Sequence, residues 1–189
     1  KMKLLPHAYD LDDFDSDDII QNNTDKFNLI YGGTIYRDLE NEYQALYELC
    51  KLHSGVDFKI QIYANKFQYL SIKKKDEIKK NLIISPYISP NDLMAKIKGA
   101  DAYLLIFPDE VKDFITTKFY EIIQCRTPII YIGATGEVSQ FITLNNLGVH
   151  IEPKNIKSQL LEIISKKSEI NYNVDFPVEQ YSFNTVTKT

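Results

Sequence analysis

Arginine is scarce in this chain of 189 residues. Of its 22 basic residues only Arg37 and Arg126 are arginines, and the rest are lysines. The arginine fork is the better bidentate partner for phosphate, so each of the two is a candidate for anion contact. A net charge of -4 argues against a nucleic-acid role, since phosphate backbones require a basic face. Two cysteines, Cys50 and Cys125, lie far apart inside predicted helices and make no metal or redox spacing. They read as buried thiols of a reduced, cytosolic chain. Glycine is also sparse, at 7 residues. Neither G-x-G-x-x-G nor a P-loop occurs, which removes support for NAD binding and for ATP hydrolysis. No apolar run approaches the ~20 residues that span a bilayer, and no signal-peptide pattern opens the chain. The three histidines, His7, His53 and His150, have no partner pattern. No Ser-His-Asp or Cys-His arrangement can be assembled from them.

What is present is ordinary for a globular chain, with 44% hydrophobic and 25% charged residues. The length supports one sizeable core. Residues 1–26 form an acidic, Asn-rich run in which Asp10, Asp12, Asp13, Asp15, Asp17 and Asp18 are too dense in charge to bury. That run reads as a solvated interdomain linker, and it lacks the central Gly and distal Glu of a calcium loop. From Phe27 strand and helix patterns alternate. FNLIYGG, DFKIQIYA, NLIIS, AYLLIF, IIYI and GVHIE are the strands. Helices are expected at Leu39–His53, with a face of Tyr43, Leu46, Tyr47 and Cys50, near Ser71–Lys80, after Ser89-Pro90-Asn91, around Glu121, at Glu137–Leu144 and at Lys154–Lys167. This rhythm predicts an α/β, Rossmann-like domain over residues 27–168, with a mostly parallel sheet of about six strands and helices on both faces. Residues 169–189 form a tail with a helix beginning at Ser182. Having no core of its own, the tail is expected to pack on another domain, in the N-terminal half of a longer protein.

The chain is organised around Thr116 to Val138, TTKFYEIIQCRTPIIYIGATGEV. It reads as a helix with Phe119, Ile122 and Ile123 on one face, a stop at Pro128, a buried strand, and a glycine turn into the next helix. In doubly wound sheets ligands bind beyond the carboxyl ends of the strands. Four polar or glycine-bearing loops follow strands here: Gly32 to Arg37, Pro86 to Asn91, Pro108 to Lys118 and Gly133 to Glu137. A parallel sheet brings all four to one edge. Gly32-Gly33-Thr34 lets backbone N–H groups approach an anion that Arg37 can also reach; a plain strand-to-helix turn fits the same residues. Glu121 is either an exposed helix carboxylate or a ribose ligand, and spacing leaves both open. Asp113, eight positions earlier, is placed to accept from a second hydroxyl of the same ligand. Lys118, in the first helical turn, adds charge for a phosphate, although most lysines face solvent.

These stretches resemble the C-terminal, donor-binding domain of glycosyltransferases with two Rossmann-like domains (the GT-B fold), specifically the retaining family 4, or group 1, enzymes. TKFYEIIQCRTPIIYIGATGE, with Glu121 seven residues before Pro128, is similar to the family's Glu, small-residue run, Pro and apolar strand. KLLPHAYDLDDF resembles its interdomain segment, FNLIYGGTIYRD its first strand and phosphate loop, and NDLMAKIKGADAYLLIFPDE its approach to the active-site loop. The resemblance covers nearly the whole chain. It implies that Glu121 binds the ribose hydroxyls. Arg37 and the amides near Gly32, Gly33 and Thr34 would hold the diphosphate, helped by Lys118 and the amides of Thr116 and Thr117. Backbone near Tyr87 and Ile88 would meet the base. Asp113 stands at the first of the family's paired glutamates, the candidate catalytic residue that contacts the donor sugar. The sequence departs from the family at Asp113, shorter than glutamate; at Thr116 and Arg126, both usually glycine; and at Gly33, often arginine.

The expectation is therefore the nucleotide-sugar-binding half of a retaining glycosyltransferase of polysaccharide or glycan biosynthesis. Its donor is a UDP-, GDP- or ADP-sugar and needs no metal or other cofactor. Its partner is a missing N-terminal acceptor-binding domain, and nucleic acid is not among its ligands. Its place is cytoplasmic, at the inner face of the membrane where the missing domain brings it there. Alone, the chain is expected to bind nucleotide weakly and transfer no sugar. Two other classes share the pattern: a sugar-nucleotide epimerase-like enzyme of the same fold, and a ligand-free flavodoxin-like interaction module.

Overall fold

A computed structural model describes residues 26–53, 55–64, 81–166, 170–182 and 185. The acidic segment before residue 26 and the helix expected near Ser71–Lys80 lie outside the described residues. Six strands form one sheet: β1 Phe27–Gly32, β2 Phe58–Ala64, β3 Leu82–Pro86, β4 Ala102–Ile106, β5 Ile129–Ile132 and β6 Gly148–Ile151. Their order is β3-β2-β1-β4-β5-β6, and every neighbouring pair is parallel. This is the expected Rossmann-like fold, with the order reversing between β1 and β4. β4 and β5 read as unbroken apolar runs because helices cover both faces. All residues of β1, β4 and β5 are buried.

The helices are α1 Glu40–Leu52, α2 Pro90–Lys98, α3 Thr117–Ile123, α4 Glu137–Leu144 and α5 Ile156–Lys166. Alternation along β1 divides the core. Leu29 and Tyr31 point into a cluster with α1 and α5, and Ile30 into a second with α2, α3 and α4. The buried face of α1 is Tyr43, Leu46, Leu49 and Cys50. Leu49 thus takes the place expected for Tyr47, which is only half-buried at the edge of the same core cluster. Ser89 caps α2 by accepting from the Asp92 amide at 3.1 Å, with Pro90 in the first turn. After α3 the chain turns through Arg126, whose φ of 52° lies in the left-handed region where glycine is preferred.

Residues 170–182 seat on this domain, where the sequence reading has the tail packing on another. Phe176 and Val178 are buried in the second core cluster. Tyr181 stacks on Tyr120 of α3, with ring centroids 4.9 Å apart, and meets Phe141 of α4 at 5.8 Å. Arg126 donates to the Val174 carbonyl at 2.6 Å and to Glu179 at 2.8 Å. Aromatic residues in the tail supply a packing surface that its lack of periodicity concealed. A 3₁₀ turn at Val178–Tyr181 precedes the expected helix, and Ser182 Oγ accepts from the Thr185 amide at 3.3 Å as a cap would. The rest of that helix lies outside the described residues.

Candidate functional site

The strands part at the reversal of strand order. β1 pairs with β4 only through Leu29 opposite Ala102 and Ile30 opposite Tyr103, whereas β1 pairs with β2 along its whole length. Beyond Ile30 the seam is bridged by a side chain. The Tyr103 hydroxyl donates to the Gly32 carbonyl at 2.8 Å and accepts from the Gly32 amide at 3.4 Å. Because the sheet is parallel, the loops after β1, β3, β4 and β5 all emerge on this edge, as anticipated.

Lys118 reaches the same point from α3. Its ammonium donates to the Gly32 carbonyl and sits 5.8 Å from the centre of the Tyr31 ring. Gly33 is obligatory there: its φ is +144°, and a Cβ would stand 2.0 Å from Lys118 Nζ. Burial pushes the Lys118 ammonium down to about 8, partly opposed by the carboxylate of Glu121. Lys118 and Glu121 are three residues apart and share one stripe of α3, while Phe119, Tyr120, Ile122 and Ile123 bury the others. The lysine is therefore half-buried and engaged rather than solvated.

Beneath the loop lies a tyrosine pair that sequence reasoning missed. Tyr43 of α1 donates to the Tyr31 hydroxyl at 3.0 Å, and Tyr31 donates to the carbonyl of Thr34. Burial holds both phenols far above their usual range, so they act as protonated donors. The signal available was a tyrosine near the carboxyl end of β1, FNLIYG, beside a tyrosine on the buried face of α1. Thr34 Oγ1 also lies 3.3 Å from the hydroxyl of Tyr87, which is exposed, and Ile88 follows half-buried. Arg37 opens the 3₁₀ turn Arg37–Leu39 that follows this loop; its side chain lies outside the described residues.

Not every expected donor is open to a ligand. The amide of Gly33 donates to the Tyr63 carbonyl at 3.0 Å, continuing the β1–β2 ladder, and that of Gly32 faces Tyr103. Neither amide is open to an anion. α3 starts beside this point, with Thr117 and Lys118 in its first turn. Thr116 caps that turn by accepting from the Phe119 amide at 3.4 Å. Asp113 is exposed and accepts from the Glu137 amide at 3.3 Å. His150 Nε2 lies 2.8 Å from the Gly133 carbonyl, a distance at which the Nε2–H tautomer donates. Among the described residues no group of three or more His, Cys, Asp or Glu side chains could hold a metal, and no helix is long and apolar enough to cross a membrane.

No family model matches the chain, and no curated protein matches its sequence. Solved structures do. The chain is similar to WaaG, a glycosyltransferase involved in lipopolysaccharide biosynthesis, with a TM-score of 0.59 and 16% identity over 87% of this chain and 48% of that one. It is similar to the C-terminal domain of a glycosyl transferase group 1 family protein, LpcC, from Francisella tularensis, with a TM-score of 0.54 and 17% identity over 86% of this chain and 85% of that domain. It also matches a putative UDP-N-acetylglucosamine 2-epimerase from Listeria monocytogenes, with a TM-score of 0.52 and 11% identity over 82% of this chain and 43% of that one. The chain thus has the fold of the C-terminal domain of a group 1 glycosyltransferase. It spans about half the length of WaaG.

Proposed function

We propose that this chain is the donor-binding half of a retaining glycosyltransferase that takes a nucleoside diphosphate sugar. The observation that carries the reading is the meeting of Lys118, Gly32 and Glu121 at the parted seam between β1 and β4. Lys118 and the first-turn amides of α3 neutralise the diphosphate, and Glu121 accepts from the ribose hydroxyls. Tyr87 and Ile88, across the Thr34 loop, flank the base. Arg37 follows that loop and is assigned to the diphosphate. Side chains and helix amides then supply the charge complementarity, with no metal required. Transfer needs a second, acceptor-binding domain, so the isolated chain binds nucleotide and does not turn over. The assembled enzyme works in glycan synthesis on the cytoplasmic side.

A sugar-nucleotide epimerase is the second reading, favoured by the likeness to the Listeria structure. Such chemistry calls for acid-base side chains in the cleft. Among the described residues the histidine near this edge is His150, already placed against the Gly133 carbonyl.

Calorimetry with UDP, GDP and ADP tests the proposal. One nucleotide should bind, and Glu121→Ala should weaken it about tenfold, the loss of roughly 1.4 kcal/mol. Binding of none of the three would leave the interaction module as the surviving reading.

A further inference from the structure

Asp113 occupies the position of a donor-sugar ligand, yet its carboxylate is spent on another part of the chain. α4 begins at Gly136, a residue with no side chain to cap the helix. Ser139 returns to the Gly136 amide at 2.9 Å. The next two amides find acceptors in the loop between β4 and α3. Glu137 donates to Asp113 Oδ1 at 3.3 Å, and Val138 donates to the Lys112 carbonyl at 3.1 Å. The fit is close: a Cβ on Gly136 would stand 2.6 Å from Asp113 Oδ1 and 2.7 Å from the Lys112 carbonyl. Glycine at 136 and the short aspartate at 113 are thus two halves of one joint.

We propose that Asp113 is a positioning residue that latches the β4–α3 loop onto the first turn of α4. The joint places Thr116, Thr117 and Lys118 for the ligand, and Asp113 does not itself contact the donor sugar. Three residues separate Asp113 from Thr117, so the anchor lies within one turn of the cap that starts α3. A carboxylate at a helix N-terminus also meets the positive end of the helix dipole, which favours the joint further.

The proposal rests on the nucleotide-binding reading for its ligand effects but not for the latch, and the experiment separates the two. Hydrogen exchange on the unliganded chain comes first. Asp113→Ala should speed exchange at the Glu137 and Val138 amides about tenfold, while Asp113→Asn, which keeps an Oδ1 acceptor, stays near wild type. Affinities are then measured well below the unfolding temperature, for whichever of UDP, GDP and ADP binds best and for its glucose ester. Asp113→Ala should weaken both by the same factor, about three- to tenfold, and Asp113→Asn should restore both. A loss confined to the glucose ester would make Asp113 a sugar ligand and overturn the assignment. Unchanged exchange in Asp113→Ala would overturn the latch. If the wild-type chain binds no nucleotide, the functional reading fails while the exchange result still decides the latch.

Discussion

Lys118 donates its ammonium to the backbone carbonyl of Gly32, 86 residues away in sequence. The carbonyl satisfies one of the lysine's three donors, and the bond fixes the cation over the seam where the strand order reverses. Burying a charge against a neutral carbonyl is unfavourable for folding, because desolvation is only partly compensated. On the donor-binding reading proposed above, the arrangement serves the ligand rather than stability.

Replacing the lysine tests this division. Lys118→Met should lower nucleoside diphosphate affinity by about tenfold or more while leaving the melting temperature unchanged or higher. Calorimetry and thermal unfolding on the same samples check it. A large drop in melting temperature would show that the bond to Gly32 is structural.

The pH dependence should separate in the same way. Lys118 falls to about 8 in the folded chain from its ordinary 10.5. Between those values the unfolded chain holds more protons than the folded one, so this residue's contribution to stability rises with pH over that interval. Affinity should move oppositely, falling as pH climbs past about 8 and the ammonium is lost. Binding near that pH should take up a proton, which calorimetry in buffers of different ionisation enthalpy measures directly. The trend should vanish in Lys118→Met.

Gly33 and Gly32 should differ in their tolerance of a methyl group. Gly33→Ala forces a side chain into positive φ and onto the lysine ammonium, and should cost about 1–3 kcal/mol and weaken binding. At Gly32 a Cβ meets the end of the Leu93 side chain at 2.5 Å, a group that can rotate aside. Denaturant unfolding should rank Gly33→Ala as the more damaging change.

Arg126 carries strain and anchorage together. Arg126→Ala keeps the left-handed backbone and loses the bonds to Val174 and Glu179. Arg126→Gly loses the same bonds and relieves the backbone, so it should be the more stable variant by about 1 kcal/mol. Both should speed hydrogen exchange in residues 173–181. Equal stabilities would show that the backbone strain is negligible.

Much of this arrangement was legible beforehand. Short apolar runs bounded by breakers marked all six strands, and the fully apolar AYLLIF and IIYI sit where helices cover both faces of the sheet. The departure from glycine at Arg126 was visible in the sequence, but the left-handed backbone that the arginine adopts was not. The burial of Lys118 was not legible, since its partner is a backbone carbonyl exposed by the early end of the β1–β4 ladder. Nor was the loss of the Gly32 and Gly33 amides as anion donors. A glycine after a strand suggests free N–H groups, yet here one continues the ladder to Tyr63 and the other meets Tyr103. The tail escaped because Phe176, Val178 and Tyr181 pack without regular spacing.

The short β1–β4 pairing also sets where the domain can be divided. A cut at Gly99–Ala100, between α2 and β4, would yield two fragments carrying three strands each. Their reassociation would draw on the two core clusters they share and, along the seam, on Leu29, Ile30, Tyr103 and the bridge from Lys118 to Gly32. A ligand gripped from both sides of that line would join the pieces, making complementation between them a reporter of occupancy.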